Sequence, residues 1–79
     1  MAYKPRDIAN GKDPRNRWKV VLFKNGEGEI EHTALFYPTK EKAEEIADYL
    51  NNTLGIQKLY QQYVVRPHDP ATYVSYRNR

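Results

Sequence analysis

The stretch Asn25-Gly26-Glu27-Gly28, set between two runs of strand formers, constrains this chain more than any other feature. Asn and Gly tolerate positive φ, so a run of this kind closes an antiparallel hairpin. Before it, Trp18 to Lys24 is β-branched and aromatic, with Trp18, Val20 and Leu22 on one parity and Val21 and Phe23 on the other, as in a strand covered on both faces. After it, Glu29 to Tyr37 places Ile30, His32, Ala34 and Phe36 on one face and Glu29, Glu31, Thr33, Leu35 and Tyr37 on the other. A turn of two or of four residues gives the same pairing across the hairpin, odd positions of one strand facing even positions of the other. Face one then collects Val21, Phe23, Ile30, Ala34 and Phe36. Face two collects Trp18, Val20, Leu22, Leu35 and Tyr37 beside Glu29 and Glu31.

A helix follows Pro38, with Thr39 as N-cap and Glu41 in the first turn, where a carboxylate suits the positive end of the dipole. Ala43, Ile46, Ala47, Leu50 and Leu54 recur at helical spacing and form one apolar stripe, ended by Asn51-Asn52 and Gly55. Two small alanines on that stripe let the helix sit close to a sheet, and face one is the surface it is expected to cover. Ile56 to Tyr63 fits helix or strand spacing, whereas Tyr60 to Arg66 is rich in strand formers and predicts a third strand. Pro67-His68-Asp69-Pro70 is a turn, because neither proline can donate to a regular element. Thr72 to Tyr76 alternates enough for a short edge strand or a cover over the sheet.

The expected fold is therefore a small α+β domain of order β-β-α-β, an antiparallel hairpin plus a third strand, with one helix on one sheet face. Residues 1–16 hold Pro5, Gly11 and Pro14 without apolar periodicity and read as a basic extended arm. Residues 17–79 form the single domain, with an extended C-terminal segment from about residue 67. In 79 residues there is room for one small core and no substrate domain.

The absence of cysteine excludes a disulfide scaffold, a cysteine-ligated metal and a thiol nucleophile. His32 and His68 are the only imidazoles and Ser75 the only serine, and none stands in a catalytic arrangement; His68-Asp69 sits between two prolines, where adjacent residues rarely reach base-and-orienter geometry. The glycines form no phosphate loop. The reading is no enzyme, no metal and no cofactor. The longest apolar run is Val20 to Phe23, and Met1 to Arg6 has no apolar leader region, so the expectation is a cytoplasmic protein with no membrane partner.

Charge is divided along the chain. The formal net charge of +3 hides a strongly uneven distribution. Residues 1–19 carry six Lys and Arg against two Asp, residues 20–57 three Lys against seven acids, and residues 58–79 four basic residues against one acid. Basic ends around an acidic centre suggest contact with a polyanion through Lys4, Arg6, Lys12, Arg15, Arg17, Arg66, Arg77 and Arg79, with Tyr3, Tyr73 and Tyr76 available to stack on unpaired bases. Face two supplies a second candidate, an apolar partner strip of Trp18, Val20, Leu22, Leu35 and Tyr37, which the segment holding Tyr73, Val74 and Tyr76 could instead cover.

Trp18 to Phe23, the glycine-containing turn and Phe36-Tyr37-Pro38-Thr39-Lys40-Glu41-Lys42-Ala43 together resemble the small arm-binding N-terminal domains of tyrosine integrases. The match spans about thirty residues and departs by one extra residue between Phe36 and Thr39. The resemblance implies a sheet that contacts duplex DNA, yet Glu27, Glu29 and Glu31 place three acids on the strand that would meet phosphates. The layout also resembles small phage proteins that inhibit host RNA polymerase, which would imply docking on a larger enzyme. The functional expectation is a small binding or regulatory protein attached to a nucleic-acid-containing complex through its basic termini. The alternative is a protein-interaction module such as a phage-type inhibitor or assembly factor, docking through a sheet face or edge. Expected partners are a larger protein or nucleoprotein complex, with nucleic acid and edge-strand homo-oligomers both admitted.

Overall fold

A computed structural model of the chain describes residues 10–73. Three strands, β1 (Trp18–Lys24), β2 (Gly28–Tyr37) and β3 (Gln61–Pro67), form one antiparallel sheet in the order β2-β1-β3. Helix α1 (Lys40–Asn52) packs against it, and a 3₁₀ turn (Gly55–Leu59) leads from α1 into β3. The molecule is thus a small α+β domain with the expected β-β-α-β order. The ambiguous stretch after Gly55 resolves into 3₁₀ turn and then strand, because Gly55 at φ +59° turns the chain before a helix could continue.

The hairpin differs from expectation in register. Lys24 pairs with Gly28, so the turn holds three residues, Asn25, Gly26 and Glu27, with Gly26 at φ +85° and Gly28 at φ +79°. An odd turn joins equal parities instead: Leu22 faces Ile30 and Phe23 faces Glu29. The register then shifts, and Val20 faces Leu35 while Trp18 faces Tyr37. The extra residues of β2 form a bulge between these two registers. Thr33 pins the bulge, its Oγ1 donating to the Ile30 carbonyl at 2.7 Å and accepting from the Leu22 amide at 3.3 Å. Beyond the bulge the original parities return, which restores Leu35 and Tyr37 to the Trp18 face and Phe36 to the other.

Helix α1 covers the Trp18 face, which corrects the expectation that it would cover the Val21 face. Val20 and Ala43 are fully buried and Ala47 nearly so, with Trp18, Tyr37, Leu50, Tyr63 and Val65 packed around them. The reason is electrostatic. Lys19 and Arg66 share the parity of Val21, and a helix laid over that face would strip water from both cations and from the carboxylates they hold. Ala43 and Ala47 bring the helix close to Val20, whose burial contributes about 1.5–3 kcal/mol. Burial also raises the Tyr37 phenol above its ordinary pKa.

Local signals set the ends of α1. Thr39, extended at φ −124° and ψ 150°, accepts from the Lys42 amide at 3.2 Å, and Glu41 lies in the first turn. Near the other end Asn51 reaches the edge strand: its Oδ1 accepts from the Tyr63 amide at 2.7 Å and its Nδ2 donates to the Tyr63 carbonyl at 3.0 Å. Arg66 Nη1 donates to the Val65 carbonyl at 3.0 Å, and Pro67 has no amide hydrogen. The outer edge of β3 is therefore occupied at Tyr63 and Val65 by side chains of this chain.

Candidate nucleic-acid interface

Of the stretch expected as an extended basic arm, residues 10–16 are described. They are helical at 10–12, turn at Pro14 and Arg15, and bury Asn16, whose Nδ2 donates to the Asn10 carbonyl at 2.8 Å. The segment lies against the Val21 face together with the chain that follows β3. His68 is buried there, its backbone amide donating to the Arg17 carbonyl at 2.8 Å and its ring Nε2 standing 2.7 Å from the Gly11 carbonyl. A carbonyl only accepts, so Nε2 carries the hydrogen. The His68 ring meets Phe36 at 4.5 Å and Tyr73 at 5.6 Å between centroids, and Phe36 meets Tyr73 edge-on at 5.3 Å. Gly11 closes the cluster: a Cβ on it would stand 2.5 Å from Tyr73 Cε2, so only glycine fits at this approach. His68, read from sequence as part of a turn, is in fact the centre of a clasp joining residues 10–17 to residues 68–73.

The clasp determines where the basic residues emerge. The described chain begins at Asn10 and stops at Tyr73, and Gly11 touches Tyr73. Lys4, Arg6, Arg77 and Arg79, with Tyr3, Val74 and Tyr76, lie outside the described residues. Lys12, Arg15 and Arg17 are exposed beside the clasp. An open recess of about 330 Å³ adjoins it, lined by Asn10, Asp13, Arg15, Asn16, Phe36 and Pro38.

The described cations are not equivalent. Arg15 is held by Asp13 through Nε at 3.2 Å and Nη2 at 2.8 Å, which pulls the Asp13 carboxyl down to about 2. Arg66 on β3 reaches across the central strand to Glu29 on β2 at 3.1 Å, and Lys19 meets Glu31 at 2.9 Å. Lys12 and Arg17 have no ion-pair partner among the described residues, which leaves them the freer cations. Lys40, absent from the sequence-based set, stands 5.6 Å from the Trp18 ring centroid at the α1 N-terminus. Its place after Thr39 marked it as a first-turn residue, but nothing in the sequence pointed to Trp18.

The apolar partner strip takes a different place from the one expected. Trp18, Val20 and Tyr37 lie in the α1 core, Leu22 shares their face, and Leu35 is left 41% exposed at the rim. The cover is α1, whereas Tyr73 packs on the opposite face against Phe36. His32 is exposed within the bulge, away from the core parity read for it. Among the described residues no group of three or more His, Cys, Asp or Glu could hold a metal ion, and no helix is long and apolar enough to cross a membrane.

Fold and site together define a small α+β domain whose two sheet faces are closed by different means, with cations gathered beside the clasp. Comparison with protein-family models, with curated proteins and with solved structures found no match.

Proposed function

We propose that this protein is a small non-enzymatic binding protein that attaches to a nucleic-acid-containing complex through the basic residues around the His68 clasp. The observation that carries the reading is the clasp, in which the His68 amide bonds the Arg17 carbonyl and Gly11 contacts Tyr73, so that Lys12 and Arg17 lie exposed near the end of β3 that carries Arg66. Cations drawn from separate parts of the sequence then act as one electrostatic footprint. The carboxylates on Arg15 and Arg66 lower their share in it, so Lys12 and Arg17 would carry most of the phosphate contact within the described residues. The acidic outer face of α1, with Glu41, Glu44, Glu45 and Asp48, would point away from a polyanion.

Titration of the full chain against duplex and single-stranded DNA and RNA at several salt concentrations tests this reading. The expected result is binding whose logarithm falls linearly with the logarithm of salt, the slope shrinking by about 1 for Lys12→Ala and for Arg17→Ala and by less for Arg66→Ala. Salt-independent binding, or none to any nucleic acid, overturns it.

The alternative, a protein-interaction module, draws on a different surface from the Trp18 strip. Tyr49, Ile56, Leu59 and Tyr60 are the exposed apolar side chains that support it.

A further inference from the structure

The chain contains two Asn-Gly steps, Asn10-Gly11 and Asn25-Gly26, and the fold treats them differently. Asparagine is a thermolabile residue, and a following glycine, which has no Cβ, leaves its backbone nitrogen open to reach the asparagine Cγ. Asn10 stands in the helical stretch 10–12, and its carbonyl accepts from Asn16 Nδ2 at 2.8 Å. Gly11 is buried, its carbonyl stands 2.7 Å from His68 Nε2, and Tyr73 packs against it. Closing a ring between Asn10 Cγ and the Gly11 nitrogen would take Asn10 out of its helical backbone conformation and pull the clasp apart. At the other step nothing of the kind stands in the way. Asn25, Gly26 and Glu27 are exposed at the tip of the hairpin, and a Cβ on Gly26 would meet nothing within 4 Å. Among the described residues the Gly26 amide has no hydrogen-bond partner.

We propose that Asn25 is a modification site, at which the side-chain amide is lost and the residue becomes isoaspartate or aspartate. The Gly26 nitrogen gives its proton to a solvent base and attacks Asn25 Cγ. A C–N bond forms, the Cγ–Nδ2 bond breaks, and Nδ2 takes a proton from water and leaves as ammonia. The intermediate is a succinimide. Water then adds to one of its carbonyls and breaks a ring C–N bond: opening at the main-chain carbonyl carbon gives isoaspartate, and opening at Cγ gives aspartate. The product changes the fold at a defined place. Asn25 Nδ2 donates to the Leu59 carbonyl at 3.2 Å, and the Asn25 backbone amide donates to the Tyr60 carbonyl at 2.9 Å, so this residue ties the hairpin tip to the 3₁₀ turn before β3. A carboxylate cannot donate, and two acceptors would then face one another. Isoaspartate also threads the main chain through Cβ, lengthening a turn whose length sets the pairing of Leu22 with Ile30. The modification therefore unties the Gly55–Leu59 turn from the hairpin and leaves the α1 core alone.

Incubation of the full chain at mildly alkaline pH, folded and in urea, followed by mass spectrometry of the tryptic peptides Asp7–Lys12 and Asn25–Lys40, tests the proposal. In urea both steps are open, so the unfolded chain serves as the clock. In the folded chain the Asn25 peptide is expected to gain the mass of OH in place of NH2 at least about tenfold faster than the Asn10 peptide, whose reaction waits on local opening of the clasp. Equal rates at the two steps of the folded chain overturn the proposal, as does an Asn25 that stays intact while the unfolded chain is converted. Asn25→Asp reports on the product: proton shifts of Leu59 and Tyr60 should change while those of Ala43 and Ala47 hold, and unchanged shifts at Leu59 and Tyr60 overturn the untying. No nucleic acid enters this experiment, so its outcome is independent of the salt titration of the full chain.

Discussion

The two faces of one sheet solve the problem of burial in different ways. Over Val20 the cover is carbon on carbon, with Ala43 and Ala47 of α1 close above the strand. Over Val21, equally buried, the neighbourhood is mixed: Lys19 with Glu31, Arg66 with Glu29, and the ring cluster of Phe36, His68 and Tyr73. A small domain has one helix to spend, and the second face must be closed with side chains and with the chain's own flanking segments. The lesson is that the helix face should set stability, whereas the clasp face should set the order of residues 10–17 and 68–73.

Substitutions on the two faces should therefore differ in size and in kind. The largest effect is expected for Val20→Asp, which places a carboxylate in a dry core; a loss above about 4 kcal/mol would leave a domain of this size unfolded at room temperature by circular dichroism. Retention of the folded spectrum would mean that α1 does not seal this face. Gly11→Ala comes next. The Tyr73 ring must move to admit the methyl, at a cost of about 1–3 kcal/mol, and proton shifts of Tyr73 and Phe36 should change while those of Ala43 and Ala47 hold. Equal disturbance of both groups would erase the distinction between the faces. The smallest is Arg66→Ala, below about 1 kcal/mol for a half-exposed pair, with the difference fading as salt is raised.

Much of this architecture was legible from local signals. The hairpin, the Thr39 cap, the apolar stripe of α1 and the strand after Tyr60 each rest on neighbours in sequence, and each appears where those neighbours put it. The face that α1 covers was not legible from the same reasoning. An assumed even turn sent Ile30 to the Val21 side and Glu29 and Glu31 to the Trp18 side. The turn has three residues, and the bulge pinned by Thr33 then reverses the parity again. Lys19 held the clue, since a lysine sharing parity with Val21 and Phe23 argues for a wetter face. For the candidate site, Lys12, Arg15 and Arg17 could be named from sequence, but their relation to the C-terminal segment could not. That relation depends on Gly11 meeting Tyr73, a pairing of distant residues that no local pattern encodes. The Asn51 bonds to Tyr63 are hidden for the same reason: an asparagine near a helix end reads as a stop signal, not as a strand partner.

The meeting of Gly11 and Tyr73 also bears on how this unit can be rebuilt. A polypeptide whose way in and way out are adjacent behaves as a cassette: it can be set into a surface loop of a host protein without prising that loop apart. By the same geometry a short linker could join residue 73 to residue 10 and the chain could be reopened at Asn25–Glu27, where only a turn is cut. In such a circular permutant the sheet order would stay β2-β1-β3, while β2 would come first in the chain.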